Sequence, residues 1–317
     1  MKLSKFLNLG ILFCTITAFS QNVASTATLT SGGLNAGTNG TANTFYGYQT
    51  GRYTGTGINN TFIGHESGRE NTTGKNNAFI GYQAGANNTI GANNTFVGSH
   101  SGQTSYSGSN NVYVGQFTGG ENNGNYNTFL GMLAGGDSQG SNNVLIGSNA
   151  GYSMSGNDKL FIDNTDTASP LIWGDFAQDQ LKFNGKVGIG NGFGNFPTTA
   201  GSVNVSNYNL FVNGGILTEE VRVNLQSDWA DYVFSKDYEL MPLQKIEIFI
   251  KENGHLPNMP SAKQVKEEGI ELGQIAKMQQ EKIEELTLHM IEQNKTIEKQ
   301  SEEIKELKEL VKQLIEK

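Results

Sequence analysis

Cysteine is almost missing: Cys14 is the only one in 317 residues. A lone thiol excludes an intrachain disulfide, a dithiol redox pair and any metal site built on several cysteines. Basic excess is missing too. Lys and Arg number 22 against 30 Asp and Glu, a net charge of −8, which argues against a phosphate-binding surface. The hydrophobic fraction is 36%, low for one large globular core, and proline is rare at 5 residues. Beyond the N-terminus no apolar run reaches the length that crosses a bilayer as a helix.

Glycine, by contrast, is abundant. At 41 of 317 residues it stands at about twice ordinary usage. Each glycine costs chain entropy on folding, so such an excess needs a geometric reason. The N-terminus reads as a secretory signal: Lys2 and Lys5 precede the short apolar stretch Phe6 to Ala18, and Ala18-Phe19-Ser20 forms a small-x-small cleavage site. The mature chain is then expected to begin at Gln21, and Cys14 leaves with the signal.

Charge divides what remains. Residues 22–160 hold nine charged side chains, residues 161–218 hold six and residues 219–317 hold thirty-five. The first zone is a repeat array with the unit Asn-x-aromatic-aliphatic-Gly-x-x-small-Gly. It starts at Asn43, Asn60, Asn77, Asn94, Asn111, Asn127 and Asn143, spacings of 17, 17, 17, 17, 16 and 16. A period this short does not accommodate a helix pair or a propeller blade; it suits one coil of a β-solenoid. Triads such as Phe62-Ile63 and Phe79-Ile80 are expected to be short strands stacked on their equivalents. Gly64, Gly81 and Gly98 then permit a turn closed to other residues, and Gly68, Gly85 and Gly102 a second corner or a close backbone approach. The Asn pairs, Asn59-Asn60, Asn76-Asn77, Asn93-Asn94 and Asn110-Asn111, are expected to stack as hydrogen-bonded ladders. Each coil buries only two or three apolar residues, so stacking and side-by-side association must supply the rest of the stabilisation.

The unit resembles the head repeats of trimeric autotransporter adhesins over residues 35–151. The shared features are the aliphatic-Gly step and the Ala-Gly step in a short exact period. That resemblance implies a left-handed parallel β-roll with three chains to a head; the unit here is longer than the usual head repeat.

The middle zone alternates in strand fashion at Lys159–Ile162, Pro170–Phe176, Leu181–Phe183, Lys186–Gly190, Tyr208–Val212 and Gly215–Leu217. The third zone turns helical. Glu219 to Leu225 reads as a strand or short helix, and Asp228 to Phe234 as an aromatic knot. Leu243 to Asn253 has helical periodicity with Gly254 as its C-cap, and a helix from Ser261 breaks around Gly269 to Gly273. From about Leu272 a heptad runs with a at Ile283, Met290, Ile297, Ile304 and Val311 and d at Leu286, Gln293, Gln300, Leu307 and Leu314. Ile at a with Leu at d leans toward dimers; the polar Gln layers, Leu310 and Ile315 leave room for a trimer. The stretch from Trp229 to Pro260 followed by a coil resembles a recurrent C-terminal module of Bacteroidetes surface proteins, and its placement is similar to the self-cleaving chaperones of tail spikes, echoed by Ser227-Asp228.

The expected organisation is a signal at 1–20, β-roll repeats at 21–156, a β-rich connector at 157–218, a small α+β module at 219–262 and a coiled coil at 263–317. No catalytic residue, cofactor or metal is expected. Of the four histidines, His65 and His100 fall at repeat positions that rotate in identity and read as solvent-facing, His289 as an exposed coil residue and His255 as a packed turn residue. Asp163-Asn164-Thr165-Asp166 offers oxygens for Ca²⁺ or, more simply, an Asx turn. Gly188 to Gly192 lacks the spacing of a dinucleotide fingerprint. Partner contact is expected at Tyr48, His65, Glu66, Tyr82, His100, Gln116 and Phe117. The expected function is a secreted or surface-exposed, non-catalytic, adhesin-like fibre self-associated as a homotrimer, with a phage-tail or injection-system fibre subunit as the second reading and a self-cleaving protein as the third.

Overall fold

The computed structural model describes residues 23–26, 28–192, 194–224 and 229–316. The chain separates into two compact units, one ending at Gly185 and the other beginning at Lys186.

The first unit is a β-solenoid. Strands β1 (Val23–Thr26), β2 (Leu29–Gly32), β3 (Asn43–Tyr46), β4 (Thr61–Ile63), β5 (Ala78–Ile80), β6 (Thr95–Val97), β7 (Val112–Val114), β8 (Thr128–Leu130), β9 (Val144–Ile146), β10 (Lys159–Ile162), β11 (Ile172–Asp175) and β12 (Gln180–Phe183) form one sheet in sequence order. From β2 to β10 each pairs in parallel with the next, one strand per coil, so that Phe45 lies on Phe62, Phe62 on Phe79 and Phe79 on Phe96. In this sheet antiparallel pairing occurs only at the two ends, β1 with β2, β10 with β11 and β11 with β12.

The repeat unit dictates this stack. The central residue of each triad points inward and is fully buried: the aromatics Phe45, Phe62, Phe79, Phe96, Tyr113 and Phe129, and then Leu145. Their ring centroids lie 4.7–5.2 Å apart, the spacing of adjacent strands. Gly81 shows why the aliphatic residue is followed by glycine: its φ is +140° and a Cβ would sit 2.4 Å from the carbonyl oxygen of Gly98 in the next coil. Gly85 makes the second corner at φ +57°, where a Cβ would sit 2.5 Å from the ring of Phe79.

The two Asn residues of each pair do different work. The second is buried and builds the ladder. Asn77 Oδ1 accepts from the Asn94 backbone N–H at 2.9 Å, and Asn77 Nδ2 donates to the Gly91 carbonyl at 2.9 Å. The same two bonds recur at Asn43, Asn60, Asn94, Asn111, Asn127 and Asn143. The first Asn is left-handed, with φ between 57° and 61° at Asn59, Asn76, Asn93 and Asn110, a conformation Asn tolerates better than most residues. Its exposed amide pairs with the next along the surface, at 3.0–3.2 Å.

The second unit begins with a two-stranded parallel pair, β13 (Val187–Ile189) with β16 (Leu210–Val212), and a hairpin of β14 (Thr199–Ala200) and β15 (Val203–Asn204). Gly215–Leu217, expected as a strand, is irregular: it follows Gly214 at φ +138° and no strand is hydrogen-bonded to it. Residues 219–224 are irregular as well. A 3₁₀ turn at Ala230–Phe234 buries Ala230 and Val233. Three helices follow: α1 (Leu243–Asn253), α2 (Ala262–Glu268) and α3 (Leu272–Ile315). Gly254 ends α1 at φ 74° as expected. Ser261 and Gln264 close a reciprocal capping box on α2. Gly269, at φ 74°, makes the break before α3 runs unbroken for 44 residues.

Candidate interaction surfaces

Strand alternation gives the solenoid an outward face as regular as its core. Where Phe62 points in, Thr61 and Ile63 point out. Repeated coil by coil, the outward aliphatic position forms a row of Ile63, Ile80, Val97, Val114, Leu130 and Ile146, partly to well exposed along its length.

A second row comes from the turn after each strand. Tyr48, His65, Tyr82, His100 and Phe117 form a continuous row of ring contacts at centroid distances of 4.9, 5.1, 5.0 and 4.5 Å, stacked at its two ends, tilted between His65 and Tyr82 and edge-on between Tyr82 and His100. Tyr48, His65, Tyr82 and Phe117 are exposed. His65 is therefore solvent-facing as its rotating position suggests, yet it is also held between two tyrosine rings. His100 is half-buried and desolvation holds its pKa below the usual histidine range. The sequence pattern hides the stack because its members shift position. Tyr48, His65 and Tyr82 follow the first glycine directly, whereas His100 and Phe117 are one residue further on. At that further position the backbone is left-handed, with φ of 56° at Glu66, 59° at His100 and 55° at Phe117. Gln116 is exposed beside the row and is not one of its stacked rings.

Glu66 lies alongside, accepting from Gln83 Nε2 at 2.6 Å and paired with Arg69 at 3.0 Å. The Gln83 hydrogen bond is the main reason its carboxyl is held below the usual carboxylate range, with Arg69 adding to it.

The third surface is on α3. Every apolar a and d residue is open: Ile283 is 57% exposed, Leu286 58%, and Met290, Ile297, Ile304, Leu307, Val311 and Leu314 are likewise exposed, as are Gln293 and Gln300. The opposite side of the same helix is covered. Glu281 is 8% and Glu284 4% exposed, because residues 230–258 fold against it as a collar. Tyr232 donates to Glu281 and Tyr238 to Glu285. Lys282 Nζ lies 2.9 Å from Glu281 and 2.7 Å from Glu285, and Asn258 Nδ2 donates to Glu281 at 3.3 Å. Burial pushes the Glu281 carboxyl up, but these donors outweigh it and hold it below the usual range. The Glu281 hydrogen bond pushes the Tyr232 hydroxyl up to about 12. The network with the collar thus spends the polar groups of Glu281, Lys282 and Glu285, at the f, g and c positions, and leaves the heptad seam uncovered. His289 is not simply exposed: its Nε2 lies 3.1 Å from the Met241 carbonyl oxygen.

The remaining chemical motifs resolve into structure. Asp163 closes an Asx turn, accepting from Thr165 N–H at 2.9 Å, Thr165 Oγ1 at 2.7 Å and Leu171 N–H at 2.8 Å, and these donors, Thr165 first, lower its pKa. Val187 to Ile189, within the glycine-rich stretch, is a strand rather than a phosphate loop. His255 packs edge-on against Phe249 at 5.6 Å. Ser227-Asp228 and the signal segment lie outside the described residues. Among the described residues no group of three or more His, Cys, Asp or Glu is placed to hold a metal, and no helix is long and apolar enough to cross a membrane. No family model, curated protein or solved structure matches the chain.

Proposed function

We propose that this chain is a secreted or surface-exposed fibrous protein without catalytic activity, which self-associates through α3 and presents a repeat surface to an extracellular partner. The observation that carries the reading is the uncovered heptad seam. A 44-residue helix with a largely aliphatic edge in water, broken only by Gln293 and Gln300, is unfavourable, since each large aliphatic side chain gains about 1.5–3 kcal/mol on full burial. The collar already occupies the other side of the helix, so the seam is the side left for a second copy.

The solenoid supports the same reading. Its core is thin, one large apolar residue per coil with a small alanine beside some of them, and its outward row of Ile63, Ile80, Val97, Val114, Leu130 and Ile146 offers further apolar surface for side-by-side association. Three copies is the number favoured by the likeness to adhesin heads. The row of Tyr48, His65, Tyr82, His100 and Phe117, with Glu66 and Gln116 beside it, is the proposed contact surface for the partner. A non-catalytic role accords with the titratable groups: Glu281, Glu285 and Lys282 are spent on one another and on Tyr232 and Tyr238. Native mass spectrometry of residues 21–317 tests the proposal, with a single species of three chains expected. A single-chain mass contradicts it, and a two-chain species contradicts the three-fold assignment alone.

A further inference from the structure

Helix α1 leaves most of its apolar side uncovered, with only Ile246 and Phe249 half-buried. Leu243, Ile246, Phe249 and Ile250 fall on one side at helical spacing, flanked by a Glu247–Lys251 ion pair at 2.6 Å, and Ile248 lies on the opposite side, 56% exposed. Yet none of its residues is buried; Leu243 is 53% and Ile250 41% exposed. Eleven residues of marginal helix propensity do not hold a helix in water by themselves, so an apolar stripe of this kind gains most of its stability from what it packs against.

Where α1 sits narrows what that is. Both ends of its segment are pinned to α3 of the same chain. Before α1, the Met241 carbonyl meets His289; after it, Asn258 donates to Glu281. Those two α3 residues are about 12 Å apart along the helix axis, so α1 is an excursion held beside the start of the seam. Its first residue borders that seam directly: a groove of about 600 Å³ is lined by Leu243 of α1 together with His289, Gln293 and Thr296 of α3, and Gln293 is a d position. A helix laid on the seam at Met290 and Gln293 with the usual interaxial distance of about 8–10 Å therefore arrives next to Leu243.

We propose that α1 is a clasp: its Leu243–Ile246–Ile250 stripe packs against α3 of a second copy of this chain, the copy seated on the adjoining seam. This rests on the self-association of α3 argued above and adds a second strip of contact to it. The clasp makes assembly depend on the collar being folded, because Tyr232, Tyr238 and Asn258 hold the segment that carries α1.

Two measurements on the full mature chain test it. In the first, a photo-crosslinking amino acid replaces Ile250, and irradiated protein is run on a denaturing gel. Covalent multiples of the chain mass are expected; crosslinks confined to single chains, or none, overturn the clasp. In the second, Ile250→Asp is compared with wild type by sedimentation equilibrium. Because Ile250 is exposed in its own chain, the far-ultraviolet spectrum of the monomer should be unchanged while dissociation becomes at least tenfold easier; dissociation equal to wild type overturns the proposal. Wild type that is monomeric throughout overturns α3 self-association and the clasp with it, whereas wild type that associates without crosslinks between chains overturns the clasp alone.

Discussion

Asn94 has two neighbours to satisfy, and they set the cost of losing it. Its Oδ1 accepts from the Asn111 N–H at 2.9 Å and its Nδ2 donates to the Gly108 carbonyl at 2.7 Å, both buried. Asn94→Ala strands both groups, at about 1–3 kcal/mol each, whereas Asn93→Ala removes two exposed amide contacts, with Asn76 and Asn110, and puts alanine at φ 59°, a loss of about 1–2 kcal/mol. Chemical denaturation of the two variants should therefore rank Asn94→Ala well below Asn93→Ala; equal midpoints would refute the division of labour within the pair. That division was only half legible in the sequence. The repeat made a ladder predictable, but the pairing of a left-handed residue with a buried one depends on backbone angles that two identical letters do not distinguish. Gly81→Val should destabilise more steeply, because its Cβ meets the Gly98 carbonyl and a β-branched residue in that φ region is strained by about 1–3 kcal/mol. A melting temperature equal to wild type would rule out the turn assignment. His100 carries a pH dependence. Its folded pKa is depressed by desolvation, so the unfolded chain binds the proton more readily and stability falls as pH drops below the ordinary histidine value of about 6.5. His100→Gln should reduce the difference in stability between pH 7.5 and pH 5; an unchanged difference would show that His100 does not contribute.

At the scale of elements, the strand triads and α1, α2 and α3 were legible because each has a strong periodic or capping signal: the aromatic-aliphatic-Gly step, Gly254, Ser261 with Gln264, and the heptad. Gly215–Leu217 failed because three apolar letters specify a strand only when a neighbouring strand is there to pair with. The β14–β15 hairpin went unread because its strands are two residues each, too short for an alternating pattern. The histidine-tyrosine stack was obscured for a different reason. The ladder moves by one residue between Tyr82 and His100, so aligning the repeat by letter separates residues that the coil brings together. In α3 the Gln293 and Gln300 layers interrupt an otherwise apolar seam. If they fix register, Gln293→Leu with Gln300→Leu should raise the thermal stability of the assembly while broadening its mass distribution. A variant that stays a single species in native mass spectrometry would show that register is set elsewhere.

For the whole molecule, the repeats that make the solenoid easy to recognise also make it poorly determined between copies. Seven near-identical units offer several nearly equal alignments, each displaced by one coil, since the outward aliphatic row recurs in every one. On the proposed self-association, a C-terminal helix with one best register would remove that ambiguity, through the heptad seam that the collar leaves uncovered. The account therefore turns on whether α3 brings chains together. Sedimentation velocity of residues 21–317 compared with an Ile297→Asp, Leu307→Asp variant tests this directly, because both positions are exposed on the single chain and lie beyond the collar. The account predicts one self-associated species for wild type and a folded monomer for the variant. Wild type sedimenting as a monomer, or a variant that associates as wild type does, would contradict it.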